Sequence, residues 1–156
     1  GIVPVAVSYE LDPCDAMKAK ELFEKATKGC YEKAEQEDVA SIAKGIAGEK
    51  GRVHVAFGTP LGGNLNTPDA VANEVDRQII SEYCLHPTNL YAYSRLYGSD
   101  ALVSTGLRVE QGSYSEAAFD ARIAAMPPAH RPFALGIYAN AVVSKLALAE
   151  NLPTPC

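Results

Sequence analysis

The chain opens on an apolar run with the composition of a β-strand, Gly1-Ile-Val-Pro-Val-Ala-Val7. Residues 2–8 are apolar almost without alternation, which is typical of a strand covered by helices on both faces. Pro4 lacks a backbone N–H, so this strand is expected at the edge of a sheet or at a bulge. A strand that starts a chain needs neighbours to hold it in place. We therefore expect Gly1 to be a cut or processed end, and the strand to pair with polypeptide that precedes it in a longer protein.

The composition is that of an ordinary globular protein and restricts the partners. The 156 residues suffice for one compact domain with a core, and 47% of them are apolar. With 14 basic and 19 acidic residues the net charge is −5, which repels phosphate backbones, so nucleic acid is not expected as a partner. No basic-then-apolar signal segment opens the chain. No Cys-x-x-Cys pair is present, and reduced thiols in the cytoplasm are expected for Cys14, Cys30, Cys84 and Cys156.

Residues 1–84 are predicted to form an α/β part, because strand and helix signals alternate there. Asp15 is expected to cap a first helix over residues 15–28, and Thr67 to cap a third helix that ends near residue 83. Between them, the alternation of Arg52–Phe57 predicts a strand with one apolar face. The second helix ends near Ala47 and is expected to bury four apolar side chains, those of Val39, Ile42, Ala43 and Ile46.

Residues 85–156 carry mainly helix signals and are predicted to form an all-helical extension. One helix is expected over residues 88–97, and Ser113-Tyr-Ser-Glu116 matches a capping box that would open another. The last and longest helix is expected from Arg131-Pro132 to about Glu150. Its apolar stretch is interrupted by polar residues and falls short of the roughly 20 apolar residues of a membrane-spanning helix, so a core helix is expected, with an interfacial helix as the alternative.

The histidines and cysteines form no recognisable catalytic or metal-binding pattern. His54 falls on the polar face of its strand, and His86 and His130 lie beside prolines at helix boundaries. Cys84-x-His86 could supply two metal ligands, but no second pair with zinc-like spacing follows it. We therefore predict no catalytic residue within the chain, no metal site and no bound cofactor.

Two segments resemble a known enzyme family. Gly1-Ile-Val-Pro-Val-Ala-Val-Ser-Tyr-Glu10 resembles the fourth sequence block of the lysophosphatidic acid (1-acylglycerol-3-phosphate) acyltransferase family, which has a Val-Pro-Val-like strand. Gly51-Arg-Val-His-Val-Ala-Phe-Gly-Thr-Pro-Leu61 is similar to the strand and the Phe-Gly-x-Pro-Leu turn that follow in that family. The resemblance covers residues 1 to about 84. It implies a mixed sheet flanked by helices, to which residues 85–156 add the all-helical extension.

The resemblance also implies an activity. This family transfers an acyl chain from acyl-coenzyme A or acyl carrier protein to a hydroxyl of a (lyso)glycerophosphate, and its members act as peripheral membrane enzymes of glycerophospholipid synthesis. The histidine of a His-x-x-x-x-Asp motif removes the acceptor hydroxyl proton, and a Phe-Pro-Glu-Gly block engages the acceptor phosphate. No histidine of this chain has an aspartate five residues later, and Phe-Pro-Glu-Gly is absent. Since both blocks precede the Val-Pro-Val strand in the family, we expect them upstream of Gly1 and expect this chain alone to be inactive.

Four residues carry over from the family as a wall of the acceptor or acyl pocket: Ile2, Val3, Pro4 and Val5. The same residues could equally form a plain core strand. The expected partners are therefore a lipid substrate, an acyl donor and the cytoplasmic surface of a membrane. Two other functions stay open, a non-catalytic α/β interaction module and a cysteine-dependent hydrolase, whose nucleophile would need a base beside it in the fold.

Overall fold

The computed structural model describes residues 1–63, 65–98 and 107–150, which form two strands and six α-helices. In chain order these are β1 (Val5–Tyr9), α1 (Asp15–Lys28), α2 (Glu37–Ala47), β2 (Val53–Phe57), α3 (Pro68–Glu82), α4 (Pro87–Tyr97), α5 (Glu116–Ala124) and α6 (Arg131–Glu150), the last preceded by a 3-10 turn, Pro128–His130. The two strands pair antiparallel as a ribbon, with Val5 opposite Phe57. The predicted mixture of helices and sheet is confirmed at this coarse level.

Strand β1 is covered on one face only, so the prediction of a strand buried on both faces is wrong. Ala6 and Ser8 point inward and are buried, whereas the side chains between and beside them are exposed. The Ser8 hydroxyl accepts a hydrogen bond of 2.9 Å from the backbone N–H of Cys84, directly after α3. The helices thus lie against the face that carries the small residues, which permits their close approach. The larger apolar residues of β1 are left on the opposite face.

Helix α2 presents its apolar stripe to solvent, so the predicted burial of that stripe is also wrong. Val39, Ile42 and Ile46 are 62–76% exposed, and Ala43 is exposed as well. The helix instead turns its small residues toward the start of α1, where the Cys14 thiol donates to the Ser41 carbonyl at 3.4 Å. The periodicity of the sequence predicted the stripe correctly, but it carries no information on what covers a stripe.

The helix ends agree with the sequence at some positions and differ at others. Thr67 caps α3 by accepting a hydrogen bond from the Ala70 N–H, and Gly29 ends α1 in the left-handed region. Asp15 is the first helical residue of α1 rather than its cap. The cap of α5 is Ser115 and not Ser113, whose hydroxyl is bound elsewhere.

The core is built around α6, which packs against α4, α1 and α3. Phe119 of α5 meets Tyr138 of α6 edge to face, with ring centroids 5.1 Å apart, and both side chains are buried. Burial of each large apolar side chain stabilises the fold by about 1.5–3 kcal/mol. Since α1 contributes Ala19 to this core, the regions 1–84 and 85–156 pack together, and the boundary between them remains a prediction.

Helix α6 with its preceding turn, Pro128–Glu150, is long and apolar enough to cross a membrane by length and composition, with a mean hydropathy of 1.4. Central helices of helical bundles have the same composition. Ala134, Tyr138, Ala139 and Val142 of this helix are buried against its neighbours.

Candidate functional site

The two segments that carry the family resemblance lie side by side. Beyond the strand pairing, the Gly58 N–H donates to the Pro4 carbonyl and the Leu61 N–H donates to the Ile2 carbonyl, each at 2.9 Å. The ribbon therefore continues past the ends of β1 and β2 into the turn that follows β2. Residues 2–5 and 57–61 form one continuous surface, although more than 50 residues separate them in the sequence.

Three of the four predicted wall residues face outward from this junction. Ile2, Val3 and Val5 are 53%, 46% and 39% exposed, so their side chains are available to a ligand or to another polypeptide. Pro4 is buried, and its contribution is the carbonyl that accepts from Gly58. The structure brings the predicted wall together with the turn.

The turn after β2 is fixed by a hydrogen-bond network that joins it to α3. We call this network the Gln78 clamp and define it as Thr59 of the turn with Glu74, Arg77 and Gln78 of α3. Gln78 accepts a hydrogen bond from the Thr59 N–H through Oε1 and donates to Glu74 through Nε2, both at 2.8 Å. Arg77 binds the Glu74 carboxylate with two hydrogen bonds of 2.6 and 2.8 Å. These bonds from Arg77, and next that from Gln78, lower the pKa of Glu74 to about 2.

The clamp also explains the glycine that begins the turn. A Cβ at Gly58 would collide with the Gln78 amide oxygen and would lie 3.3 Å from the Pro4 carbonyl oxygen. Beside the clamp lies a cavity of about 280 Å³, lined by Thr59, Pro60, Leu61, Gly62, Leu65, Glu74 and Gln78. Sequence reasoning missed Gln78. The signal that could have found it is a glutamine directly before Ile79, on the apolar side of a helix, because a buried amide requires partners.

An apolar surface continues from the junction along the outer side of the ribbon. Its three cross-strand pairs define the open ribbon face: Val5 with Phe57, Val7 with Val55, and Tyr9 with Val53. Their exposed fractions range from 38% for Tyr9 to 74% for Phe57. A two-stranded ribbon is marginally stable by itself, and apolar patches of this kind mark surfaces that another element covers.

Glu10, at the other end of the ribbon, is a buried carboxylate held entirely by N–H and O–H donors in the described residues. Oε1 accepts from the backbone of Ser113 and Tyr114 at 2.6 and 2.8 Å. Oε2 accepts from the Arg52 N–H at 3.0 Å and from the Ser113 hydroxyl at 2.7 Å. Burial alone would raise the pKa of Glu10, and these hydrogen bonds outweigh it and lower the pKa. The carboxylate is saturated, so Glu10 fastens residues 112–114 to the ribbon and is not available as a base.

The three histidines, all within the described ranges, lie in different surroundings. His86 is buried at the start of α4, and neither ring nitrogen has a hydrogen-bond partner within those ranges. Burial lowers its pKa, although Glu10 acts in the opposite direction. The ring of His130 packs against that of Phe23 at an interplanar angle of 42°, with the ring centroids 5.0 Å apart. His54 is exposed on the ribbon.

Among the described cysteines, Cys84 has a shifted pKa. Burial raises the pKa of the Cys84 thiol, whereas a catalytic cysteine requires the opposite shift. Cys14 is buried and Cys30 is exposed, and Cys156 lies outside the described residues. Across residues 1–63, 65–98 and 107–150, no group of three or more His, Cys, Asp and Glu side chains could hold a metal ion.

Comparison with protein-family models, with curated proteins and with solved structures finds no significant match for this chain. The assignment of a family therefore depends on the residues of the two segments and on their geometry.

Proposed function

We propose that this chain is the C-terminal part of a glycerolipid acyltransferase, which transfers an acyl chain from acyl-coenzyme A or acyl carrier protein to a hydroxyl of a (lyso)glycerophosphate. The observation that carries the proposal is the junction of the two motif segments, where Gly58 and Leu61 donate to the carbonyls of Pro4 and Ile2. Two weak sequence similarities that pair in space constitute a stronger argument than either similarity alone.

The open ribbon face supports the same proposal. Six apolar side chains on one side of a two-stranded ribbon are the surface expected where a larger α/β domain has been divided. The occupant that we propose for this face is the preceding half of the acyltransferase domain. That half would supply the His-x-x-x-x-Asp motif, and this chain would supply the pocket wall of Ile2, Val3 and Val5.

The proposed reaction balances without a protein nucleophile. The acceptor hydroxyl oxygen attacks the thioester carbonyl carbon while the upstream histidine takes the hydroxyl proton. The C–O bond forms, the C–S bond breaks, and the histidine returns the proton to the departing thiolate. Exposed apolar residues beside such a centre would contact the acyl chain and exclude water from the thioester. We propose a peripheral position on the cytoplasmic membrane face, where a lipid acceptor is accessible.

The first test is the coding sequence upstream of Gly1. The proposal requires His-x-x-x-x-Asp followed by Phe-Pro-Glu-Gly within the length of one domain. A start codon immediately before Gly1, with neither motif, would contradict it and would favour the non-catalytic interaction module.

The second test is an assay of the complete encoded protein with palmitoyl-coenzyme A and lysophosphatidate. We expect thiol release that depends on the acceptor, with phosphatidate detected by mass spectrometry, and loss of both when the upstream histidine is replaced by alanine. Thiol release that does not require an acceptor, and that disappears in a variant without cysteines, would instead support the hydrolase.

A further inference from the structure

We infer that Gln78 is a positioning residue that sets the acyl-chain preference of the proposed transferase by fixing the turn against which the pocket wall is built. The inference rests on the proposed function. Gln78 itself is only 6% exposed and lies beneath the turn, so it acts through Thr59 and not by touching the acyl chain.

Glu74 fixes the orientation of the Gln78 side-chain amide. Glu74 is an ionised carboxylate held by Arg77 in a two-pronged contact, so it can only accept. The Gln78 Nε2 must therefore face Glu74, and the Oε1 is left facing the turn. A carbonyl oxygen in this place can accept from the Thr59 N–H, and that N–H has its bond at 2.8 Å.

The turn is in turn bonded to the residues of the wall. Gly58 is in contact with both Gln78 and the Pro4 carbonyl, so the turn is held between the helix and the N-terminal segment. Three residues later, the Leu61 N–H binds the Ile2 carbonyl. A displacement of the turn must then shift Ile2 and Val3, whose exposed side chains form the apolar surface of the wall.

A rigid wall favours selectivity for the length of the acyl chain. Apolar pockets discriminate chain length through close contact, and one methylene group changes kcat/KM by about tenfold or more when the wall is rigid. A wall that is free to move by a fraction of an ångström loses this discrimination, because longer or shorter chains can each be accommodated. The clamp is therefore expected to affect the ratio of kcat/KM between donors more than the rate with any single donor.

The experiment uses the complete encoded protein with saturated acyl-coenzyme A donors of 12, 14, 16 and 18 carbons. Gln78→Leu removes both hydrogen bonds at nearly constant volume. The double variant Gln78→Glu with Glu74→Gln reverses the donor and acceptor within the pair while Thr59 keeps an acceptor. The matched control is Asn73→Leu, which replaces an exposed amide on the same helix. Hydrogen exchange of the peptide spanning residues 58–62 is measured in each variant.

In Gln78→Leu we expect faster exchange at residues 58–62 and a ratio of kcat/KM between the best and the worst donor that falls about fivefold or more. The double variant should recover most of that ratio, and Asn73→Leu should change neither quantity. A Gln78→Leu protein with faster exchange and an unchanged ratio would overturn the inference while the proposed function stands. An equal effect in Asn73→Leu would also overturn it, since general loosening of α3 would then suffice. A wild-type protein without acyl transfer overturns the proposed function itself and is recognised before any variant is made.

Discussion

Arg122 of α5 holds the carboxylate of Asp15 with two hydrogen bonds of 2.6 and 3.1 Å, across 107 residues of sequence. Asp15 is almost fully buried at the start of α1, and the Tyr138 hydroxyl of α6 donates to the same carboxylate at 2.7 Å. Burial raises the pKa of Tyr138, and the neighbouring Asp15 adds to that shift. Three helices from the two predicted regions therefore converge on one acidic group.

Arg122→Ala is expected to lower the free energy of unfolding by about 3–5 kcal/mol, because it leaves a buried charge without its main partner. Urea denaturation at pH 7 measures the loss. Lys25→Ala breaks an exposed pair with Glu21 on α1 and serves as the control, with an expected loss below about 1 kcal/mol. Similar losses in the two variants would show that the Asp15 cluster does not stabilise the protein.

Glu10→Gln is expected to reduce stability at neutral pH by about 1.5–3 kcal/mol, because the ionised carboxylate accepts four hydrogen bonds. The folded pKa of Glu10 is lowered, so its contribution is complete above the unfolded value of about 4.5 and is lost as the pH falls through the folded value. Wild type and variant should therefore differ at pH 6.5, and the difference should shrink as the pH falls below about 4.5. Glu35→Gln, an exposed site on the segment before α2, should match wild type throughout. A difference that persists undiminished at pH 3 would contradict the ionised-acceptor account.

His86→Leu is expected to remove a pH dependence of stability. Burial lowers the folded pKa of His86 below the usual 6.5, so on acidification the unfolded chain binds a proton that the folded protein refuses. Glu10 and Glu110 favour the charged form of the ring, whereas His54 acts in the same direction as burial, which is the largest effect. Wild type should lose stability between pH 7.5 and 5.5, and the variant should lose less. Thermal unfolding of both proteins is measured over this range, and parallel curves for His86→Leu and wild type would exclude the mechanism.

Phe57→Ser and Phe119→Ala compare the contributions of the open ribbon face and of the core to the unfolding free energy. Phe57 is 74% exposed, so its replacement should change the unfolding free energy of this chain by less than about 0.5 kcal/mol and should weaken the binding of a hydrophobic dye. Phe119 is fully buried, and its truncation should cost about 3–5 kcal/mol. In the complete encoded protein we expect Phe57→Ser to become destabilising. An unchanged, small effect there would mean that the preceding segment does not cover this face.

Val3→Asp is expected to lower kcat/KM of the complete protein for acyl transfer by about tenfold or more, because it puts a charge into the apolar wall. Val39→Asp on α2 introduces the same charge at another exposed valine and should have little effect. Steady-state assays with palmitoyl-coenzyme A compare the two. Equal losses, or none, would remove residues 2–5 from the proposed site.

The sequence was informative where structure is determined by neighbours along the chain. Thr67 with Pro68 predicted the start of α3, and the alternation within Arg52–Phe57 predicted which side chains of β2 share a face. It failed where the outcome depends on distant segments. Three of the four donors to Glu10 come from residues 113 and 114, more than 100 positions away, and no local sequence pattern predicts them. Ile46 belongs to a regular apolar stripe, yet the stripe is exposed, and α2 has no buried residue. Neither the junction at Pro4 and Gly58 nor the Gln78 clamp was predicted from the sequence.

Each strand of the ribbon has a single strand neighbour among the described residues, so each has one edge without a strand partner. Bare edges of this kind recruit other strands, including those of identical molecules, and lead to aggregation. Released on its own in a cell, this polypeptide would therefore be prone to accumulate in inclusion bodies. We expect it to stay in solution when it is translated together with its proposed partner half.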